Sequence, residues 1–315
     1  MKTEYVSVVI NPVAGNGKAK RVAQTILQKI KSSADFEIDI AFSQEKNDAK
    51  NITRKAILDG ASMIIAVGGD GTINEVVNGF FINSKPLNPL CELGIISCGT
   101  GNGYARTLNN PTSLKQQIEL MLRPGYCEMD LGCITFADSA GKRVNRLFVN
   151  ECQVGIGNEV ASSVGKKSKI FGGKISFGLA ATFLAMNMKP LNLEIGYDNG
   201  SLNKYKLIGL VIGNGTECAG GMKLTPDAKL NDGLFDVLSI NDMTIGQRML
   251  NLSKVYSGTH VFSPHFSVKR CKKLEIRSEA GVSAEGDGEV LGFAPFDVEI
   301  LPSAIKLKAV NINNQ

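Results

Sequence analysis

Residues 63–79 read MIIAVGGDGTINEVVNG: five apolar residues, a glycine-rich turn, then a stretch whose apolar positions Ile73, Val76 and Val77, with Phe80 just beyond, recur at helical spacing. A short apolar run closed by glycine and followed by a helical pattern is the strand–helix unit of a parallel sheet. The same order occurs on either side of it. VSVVI (6–10) precedes Val22, Ile26 and Ile30 at fourfold spacing, and LGIIS (93–97) precedes a helix-like stretch through Tyr104 and Leu108. Residues 1–128 are therefore expected to form an α/β domain, a parallel sheet with covering helices.

After Arg123-Pro124-Gly125 the texture changes to β-favouring runs separated by glycine and asparagine, among them RLFVNECQVGIG (146–157), YKLIGLVIGNG (205–215) and FSVKRCKKLEIRS (266–278). Several alternate polar with apolar, as antiparallel strands with one buried face do. The expectation is a second, β-rich, sandwich-like domain over 129–315, interrupted by a helix at roughly 173–188, with the extreme C-terminus free to pack back on the first domain.

Composition narrows the function. The chain of 315 residues has 35 Lys and Arg against 30 Asp and Glu, and 6% aromatic residues without tryptophan. That charge excess is too mild for a nucleic-acid binder, and stacking platforms for single strands are not expected. Seven scattered cysteines without a Cys-x-x-Cys pair, and only two histidines, His260 and His265, indicate neither a disulfide framework nor a thiolate zinc site. No secretory signal is visible near Met1 and the longest apolar-rich window, from Ile175, is short for a bilayer span. A cytoplasmic location is the simplest expectation.

Three consecutive strand ends carry glycine loops: NPVAGNGKAKR (11–21), GGDGTIN (68–74) and SCGTGNGYAR (97–106). In a parallel sheet such loops share one edge, where ligands bind. Glycine lets backbone N–H groups approach a phosphate, and the following helix adds its positive end. None of the three completes the Walker or the dinucleotide-binding fingerprint. Asp70 sits inside the second loop, where its charge would repel a phosphate. Two readings remain open: a Mg²⁺ ion between carboxylate and phosphate, held directly or through water, or a carboxylate that caps the helix through Asn74.

NPVAGNGKA, VGGDGTINEVVNG and GIISCGTGNGYARTL, with LTPDAKLNDGLFDV (224–237) and AEGDGEVLG (284–292), resemble the diacylglycerol kinase catalytic family, which includes bacterial lipid kinases and sphingosine and ceramide kinases. The resemblance covers nearly the whole chain in the family's order. GGDGT also occurs in NAD kinases, but the Asn-Pro-x-Ala-Gly start and the late Asp-Gly-Glu favour lipid kinases. An ATP- and Mg²⁺-dependent transfer to a hydroxyl of diacylglycerol, a sphingoid base or a monoacylglycerol is implied; an NAD kinase-like enzyme and a non-catalytic nucleotide sensor are the alternatives.

The resemblance assigns nucleotide contacts to Asn11 and Gly15 in the first loop, to Ser43, to Gly68, Gly69, Asp70, Gly71, Thr72, Ile73 and Asn74 in the second, and to Thr100 and Asn102 in the third. Lys18 reads equally as an added cation or as solvated surface. The acid that many bacterial members carry after that Asn is absent here, where Gly103 stands; sphingosine kinases lack it too, and its loss removes one candidate magnesium ligand. A structural Mg²⁺ is implied at Asp232 with main-chain oxygens of Lys229 and Leu234, although Asn231-Asp232-Gly233 by itself reads as a turn. Glu289, with Asp287 beside it, is implied as the general base, where the residues alone also suit an exposed hairpin. Lys166–Lys174, four lysines before an apolar stretch, suits reversible contact with an anionic membrane, each cation contributing about 1 kcal/mol; a solvated turn suits it as well. Edge strands in the β-rich half would permit a homodimer.

Overall fold

The computed structural model describes residues 4–33, 36–99, 101–155, 189–218, 221–278 and 281–310. The helix expected at 173–188, the lysine cluster at 166–174 and Thr100 lie outside the described residues. The chain divides into one unit of Met1–Asp130 with Pro302–Gln315, and a second of Leu131–Leu301.

The first unit runs β1 (Glu4–Ile10), α1 (Ala14–Ser33), β2 (Phe36–Phe42), α2 (Asp48–Leu58), β3 (Met63–Gly68), α3 (Asp70–Gly79), β4 (Phe81–Ile82), β5 (Lys85–Pro86), β6 (Glu92–Ser97), α4 (Gly103–Thr107) and α5 (Leu114–Leu122). β1 pairs in parallel with β2 and β3, and β3 with β6, so the strand order is β2-β1-β3-β6. Every residue of β3 is buried, as a strand covered on both faces must be, whereas β2, at the edge, alternates. Ile26 and Ile30 of α1 pack with Val8, Ile10, Ile65 and Ile96 in one apolar cluster. The chain's last strand returns here: Lys306 and Leu307 pair in parallel with Glu92 and Leu93. Lys308, buried, pairs with Glu92 at 2.8 Å and donates to the carbonyls of Arg123 and Gly125 at 2.9 and 3.0 Å, closing the end of α5.

The second unit holds the rest of β7 (Cys127–Ala137), then β8 (Arg143–Phe148), β9 (Glu151–Val154), β10 (Leu191–Tyr197), β11 (Asn203–Gly213), β12 (Phe235–Asn241), α6 (Ile245–Ser257), β13 (Phe266–Cys271), β14 (Lys273–Ser278), β15 (Ser283–Gly286) and most of β16 (Glu289–Leu307). Its pairings are antiparallel, in the order β13-β12-β11-β10-β14-β16, with β9 between β11 and β15, and β15 on β16. One face packs Phe148, Phe235, Ile195, Ile212 and Phe296 into the main core, with the rings of Phe148 and Phe235 stacked 5.7 Å apart. The other face of β11 and β12 packs Ile208, Val211 and Leu238 against Met243 and Phe266. α6 starts at a reciprocal cap, Thr244 and Gln247 each receiving the other's backbone N–H. His260 is fully buried, its Nε2 3.1 Å from the Leu224 carbonyl and its ring edge-on to Phe266, so it serves packing.

Candidate functional site

The three glycine loops of the first unit are in backbone contact with one another. A Cβ at Gly15 would lie 2.0 Å from the Cys98 carbonyl oxygen, and one at Gly99 would lie 2.5 Å from the Gly69 Cα. No side chain fits at either place, so glycine is needed for loop-to-loop packing as well as for any approach to a ligand. Gly15 also begins a left-handed run with Asn16 and Gly17 (φ 58°, 55° and 81°), which turns the chain before α1 becomes regular. Side chains add to the knitting. Asn11 Nδ2 donates to Thr72 Oγ1 at 3.1 Å, and Gly68 leaves room for that threonine, because a Cβ there would be 2.5 Å from Thr72 Oγ1.

Asp70 lies where two helices begin. It is the first residue of α3, and its Oδ2 and Oδ1 accept the N–H groups of Gly103 and Tyr104, the first residues of α4, at 3.0 and 3.1 Å. The backbone donors of one helix start and the positive end of another thus accommodate the charge. The capping read from the sequence, of Asp70's own helix through Asn74, is not what these bonds do: the carboxylate caps the helix of the neighbouring loop instead. Each carboxylate oxygen keeps a further lone pair. Ser43 is buried, with its hydroxyl 3.5 Å and its N–H 2.9 Å from the Ile10 carbonyl. Thr72, Ile73 and Asn74 are buried while Gly71 is exposed. Asn102, left-handed at φ 49°, has a buried Oδ1 without a hydrogen-bond partner among the described residues.

In the second unit the tight bend between β15 and β16 gathers acids. Asp287, left-handed at φ 49°, accepts the N–H groups of Val149, Asn150 and Glu151 at 2.7, 2.9 and 3.2 Å, and its own N–H donates to the Glu151 carbonyl. It therefore holds the β8–β9 bend. Glu289 pairs with Arg146 at 3.1 Å, both largely shielded from solvent. Glu151 lies in the same cluster; burial, reinforced by the charges of Glu285 and Asp287, pushes its carboxyl up to about 8. Burial and the Asp287 charge push Glu285 up to about 7.

Comparison with known proteins follows these contours. Residues 5–134 match the model of the diacylglycerol kinase catalytic domain, and residues 151–309 match that of the YegS C-terminal NAD kinase beta sandwich-like domain. The chain belongs to the diacylglycerol kinase family. A diacylglycerol kinase of Staphylococcus carnosus is 28% identical over 288 residues, 91% of this chain and 89% of its own, and one of Staphylococcus aureus is 28% identical over 304 residues, 96% and 92%. A crystal structure of a diacylglycerol kinase from Bacillus anthracis has a TM-score of 0.72 at 20% identity, covering 98% of each chain. Yeast NADH kinase shares the fold at a TM-score of 0.54 and 12% identity, covering 97% of this chain and 82% of its own.

The donor sets differ in how they suit the Mg²⁺ that this family implies. At Asp70 a half-buried carboxylate with lone pairs to spare fits a cation held through water. At Asp232 the fit is poor: one oxygen accepts the Leu234 N–H at 3.1 Å and the other is ion-paired with Arg270, which also reaches buried Asp236 at 3.6 Å. A cation there would have to displace the guanidinium. Among the described residues no three His, Cys, Asp or Glu side chains converge as a metal site. The sequence did not single out Arg146 or Glu151, and gave Glu285 no role of its own. The first two stand in a β-favouring run where nothing local marks them, while Glu285 was visible only as one more acid of the hairpin.

Proposed function

We propose that the chain is an ATP-dependent lipid kinase that transfers the γ-phosphoryl group to a hydroxyl of diacylglycerol or a related lipid. The observation that supports this most is the mutual packing of three glycine loops on one sheet edge of a diacylglycerol kinase-family chain, with the acid at its centre already satisfied by backbone donors. Phosphoryl transfer depends on positioning and charge neutralisation, and pre-packed loops supply the first. Asn11, Gly15, Gly69, Gly71 and Asn102 are read as the nucleotide-facing positions, with Gly68 and Thr72 shaping the loop from behind. Mg²⁺, when bound, would neutralise phosphate charge, and Asp70 is the residue read as holding it.

For the acceptor proton we assign Glu289 rather than Asp287. Asp287 is engaged by three backbone N–H groups, while Glu289 has a side-chain partner, Arg146, which orients its carboxylate. Among the described residues no helix is long and apolar enough to cross a membrane. A lipid acceptor is read, from the family's chemistry, as being met at the membrane surface from the cytoplasm. Pairing of two copies through an edge strand belongs to the same reading.

The test is a transfer assay with γ-labelled ATP and a panel of diacylglycerol, monoacylglycerol, a sphingoid base and NAD. A labelled lipid is expected, with turnover of Glu289→Gln lower by about 10²- to 10⁴-fold. Label on NAD alone, or nucleotide binding without transfer to any acceptor, would overturn it.

A further inference from the structure

The outward face of α6 is apolar. A helix that covers a sheet ordinarily sets its apolar stripe inward and its charged residues towards solvent. The buried residues of α6 are instead Asn251 and Val255, and its Arg248 is shielded and paired with Asp242 at 3.1 Å. With 3.6 residues per turn, the opposite side carries Ile245, Met249, Ser253 and Tyr256, with Leu250 beside them. Ile245 is 58% exposed and Leu250 70%. Gly258, left-handed at φ 77°, ends the helix, and the turn 259–262 lies against both α6 and β13. That turn buries His260 and projects Phe262, which at 86% is more exposed than any other large apolar residue described. Val268, exposed on β13, is on the same side of the sheet, since its partner Leu238 packs with Val261 of the turn in one cluster.

Single exposed apolar residues are ordinary, but a group of them on one face marks a contact surface. The charge around this one says with what. From Met243 to Leu274 the chain has six Lys and Arg and no Asp or Glu. Lys254 is exposed in the last turn of α6, where the helix dipole favours a cation. Exposed Lys223 is held beside that turn by its N–H, which donates to the Val255 carbonyl at 2.9 Å. Acids that approach from other elements are engaged elsewhere: Asp242 by Arg248, and Asp232 and Asp236, with Asp227 near them, by Arg270. A second copy on a two-fold axis would turn these lysines towards their own counterparts. An anionic bilayer suits both features, since the ammonium groups stay among the head groups while Ile245, Leu250 and Phe262 enter the boundary with the acyl chains.

We propose that the outward face of α6, with the turn that carries Phe262, is the surface by which the second unit seats on an anionic membrane. It is separate in the sequence from the lysines at 166–174 and combines apolar side chains with cations. Its purpose, access to a lipid acceptor, rests on the kinase reading; the contact itself rests on the face.

The experiment uses the full chain with vesicles of phosphatidylcholine alone and of equal parts phosphatidylcholine and phosphatidylglycerol, collected by centrifugation. The wild type should sediment with the anionic vesicles and not with the neutral ones, and added salt should release it. Leu250→Gln with Phe262→Ser should lower the partition about tenfold or more, and Lys223→Glu with Lys254→Glu should do the same. All four side chains are exposed, so melting temperatures should stay within about two degrees of the wild type. The chain has no tryptophan, so Phe262→Trp places a single reporter on the turn. Its emission should shift to the blue on anionic vesicles and be quenched by lipids brominated in their chains. Equal partition on neutral vesicles, partition unchanged in both double variants, or a reporter that does not shift would overturn the surface. So would a wild-type dimer that Leu250→Gln with Phe262→Ser dissociates, since the face would then belong to a second copy. Labelling of diacylglycerol is followed in parallel, in vesicles and as a short-chain form dispersed in water. A drop of about tenfold confined to vesicles in the Leu250→Gln, Phe262→Ser variant ties the surface to the reaction. Vesicle binding without label on either form loses the kinase reading alone, and label without vesicle binding loses this inference alone.

Discussion

Asp70 and Asp287 occupy the same sequence, Gly-Asp-Gly, in two regions of different architecture, and both have their carboxylates engaged by backbone N–H groups, two at Asp70 and three at Asp287. What differs is the company. Asp70 is set among helix starts whose partial charges favour it, and its bonds tie the second glycine loop to the third. Asp287 lies beside two further acids, Glu151 and Glu285, whose carboxyls it helps to push up. The comparison teaches that an acid between glycines can be a structural device in either setting, so its motif alone does not make it the reacting group. Acids without such donors, or with a side-chain partner as at Glu289, are the ones left for chemistry and recognition.

The comparison breaks most easily at Asp287. Asp287→Ala would orphan three N–H donors at a largely buried bend, and with roughly 1–3 kcal/mol for each unsatisfied group, acting non-additively, a loss of about 3 kcal/mol or more is expected. Denaturant unfolding checks it; a loss below about 1 kcal/mol would mean that the bend does not depend on the carboxylate. Glu151→Gln tests the neighbouring excess of negative charge in the opposite direction. Because the folded carboxyl of Glu151 is raised to about 8, the native state favours its protonated form. The resulting penalty is absent below the ordinary carboxyl range, grows as pH rises from there towards 8, and is complete above it. The glutamine variant should therefore match the wild type at pH 4 and exceed it at pH 9 by a margin of several kcal/mol, about 5 at most, in unfolding curves recorded at both values. A margin independent of pH would show that Glu151 is not held protonated.

The first region was far more legible in the sequence than the second. Val6 to Ile10, broken only by Ser7, and Met63 to Val67 are apolar runs, and each of their apolar residues is buried in a parallel strand; glycine marks each loop because backbones meet there. A single sequence can state such facts because they are local. It could not state that Glu151 meets Glu285, since that depends on strands 130 residues apart pairing in one register. Nor could it show that the hydroxyl of Ser43, expected as a nucleotide contact, is turned to the Ile10 carbonyl. At Asp232 the turn was readable, but Arg270, the cation beside it, comes from another strand.

The smallest expected effect separates the two roles left to Asp70. Asp70→Asn keeps one acceptor oxygen but sets an amide N–H donor against a backbone N–H donor, so the link between the second and third loops should weaken by about 1 kcal/mol, a shift of a few degrees in melting temperature. If the carboxylate only ties the loops together, nucleotide affinity should fall to the same small extent with and without Mg²⁺. Should it also hold the cation, the gain in nucleotide affinity that Mg²⁺ gives the wild type should shrink about tenfold in the variant while the melting temperature shifts no further, because removal of a charge acts on the ion and not on the apo fold. Titration of nucleotide at two Mg²⁺ concentrations, beside melts of the apo protein, distinguishes a loop tie from a loop tie that also carries the metal.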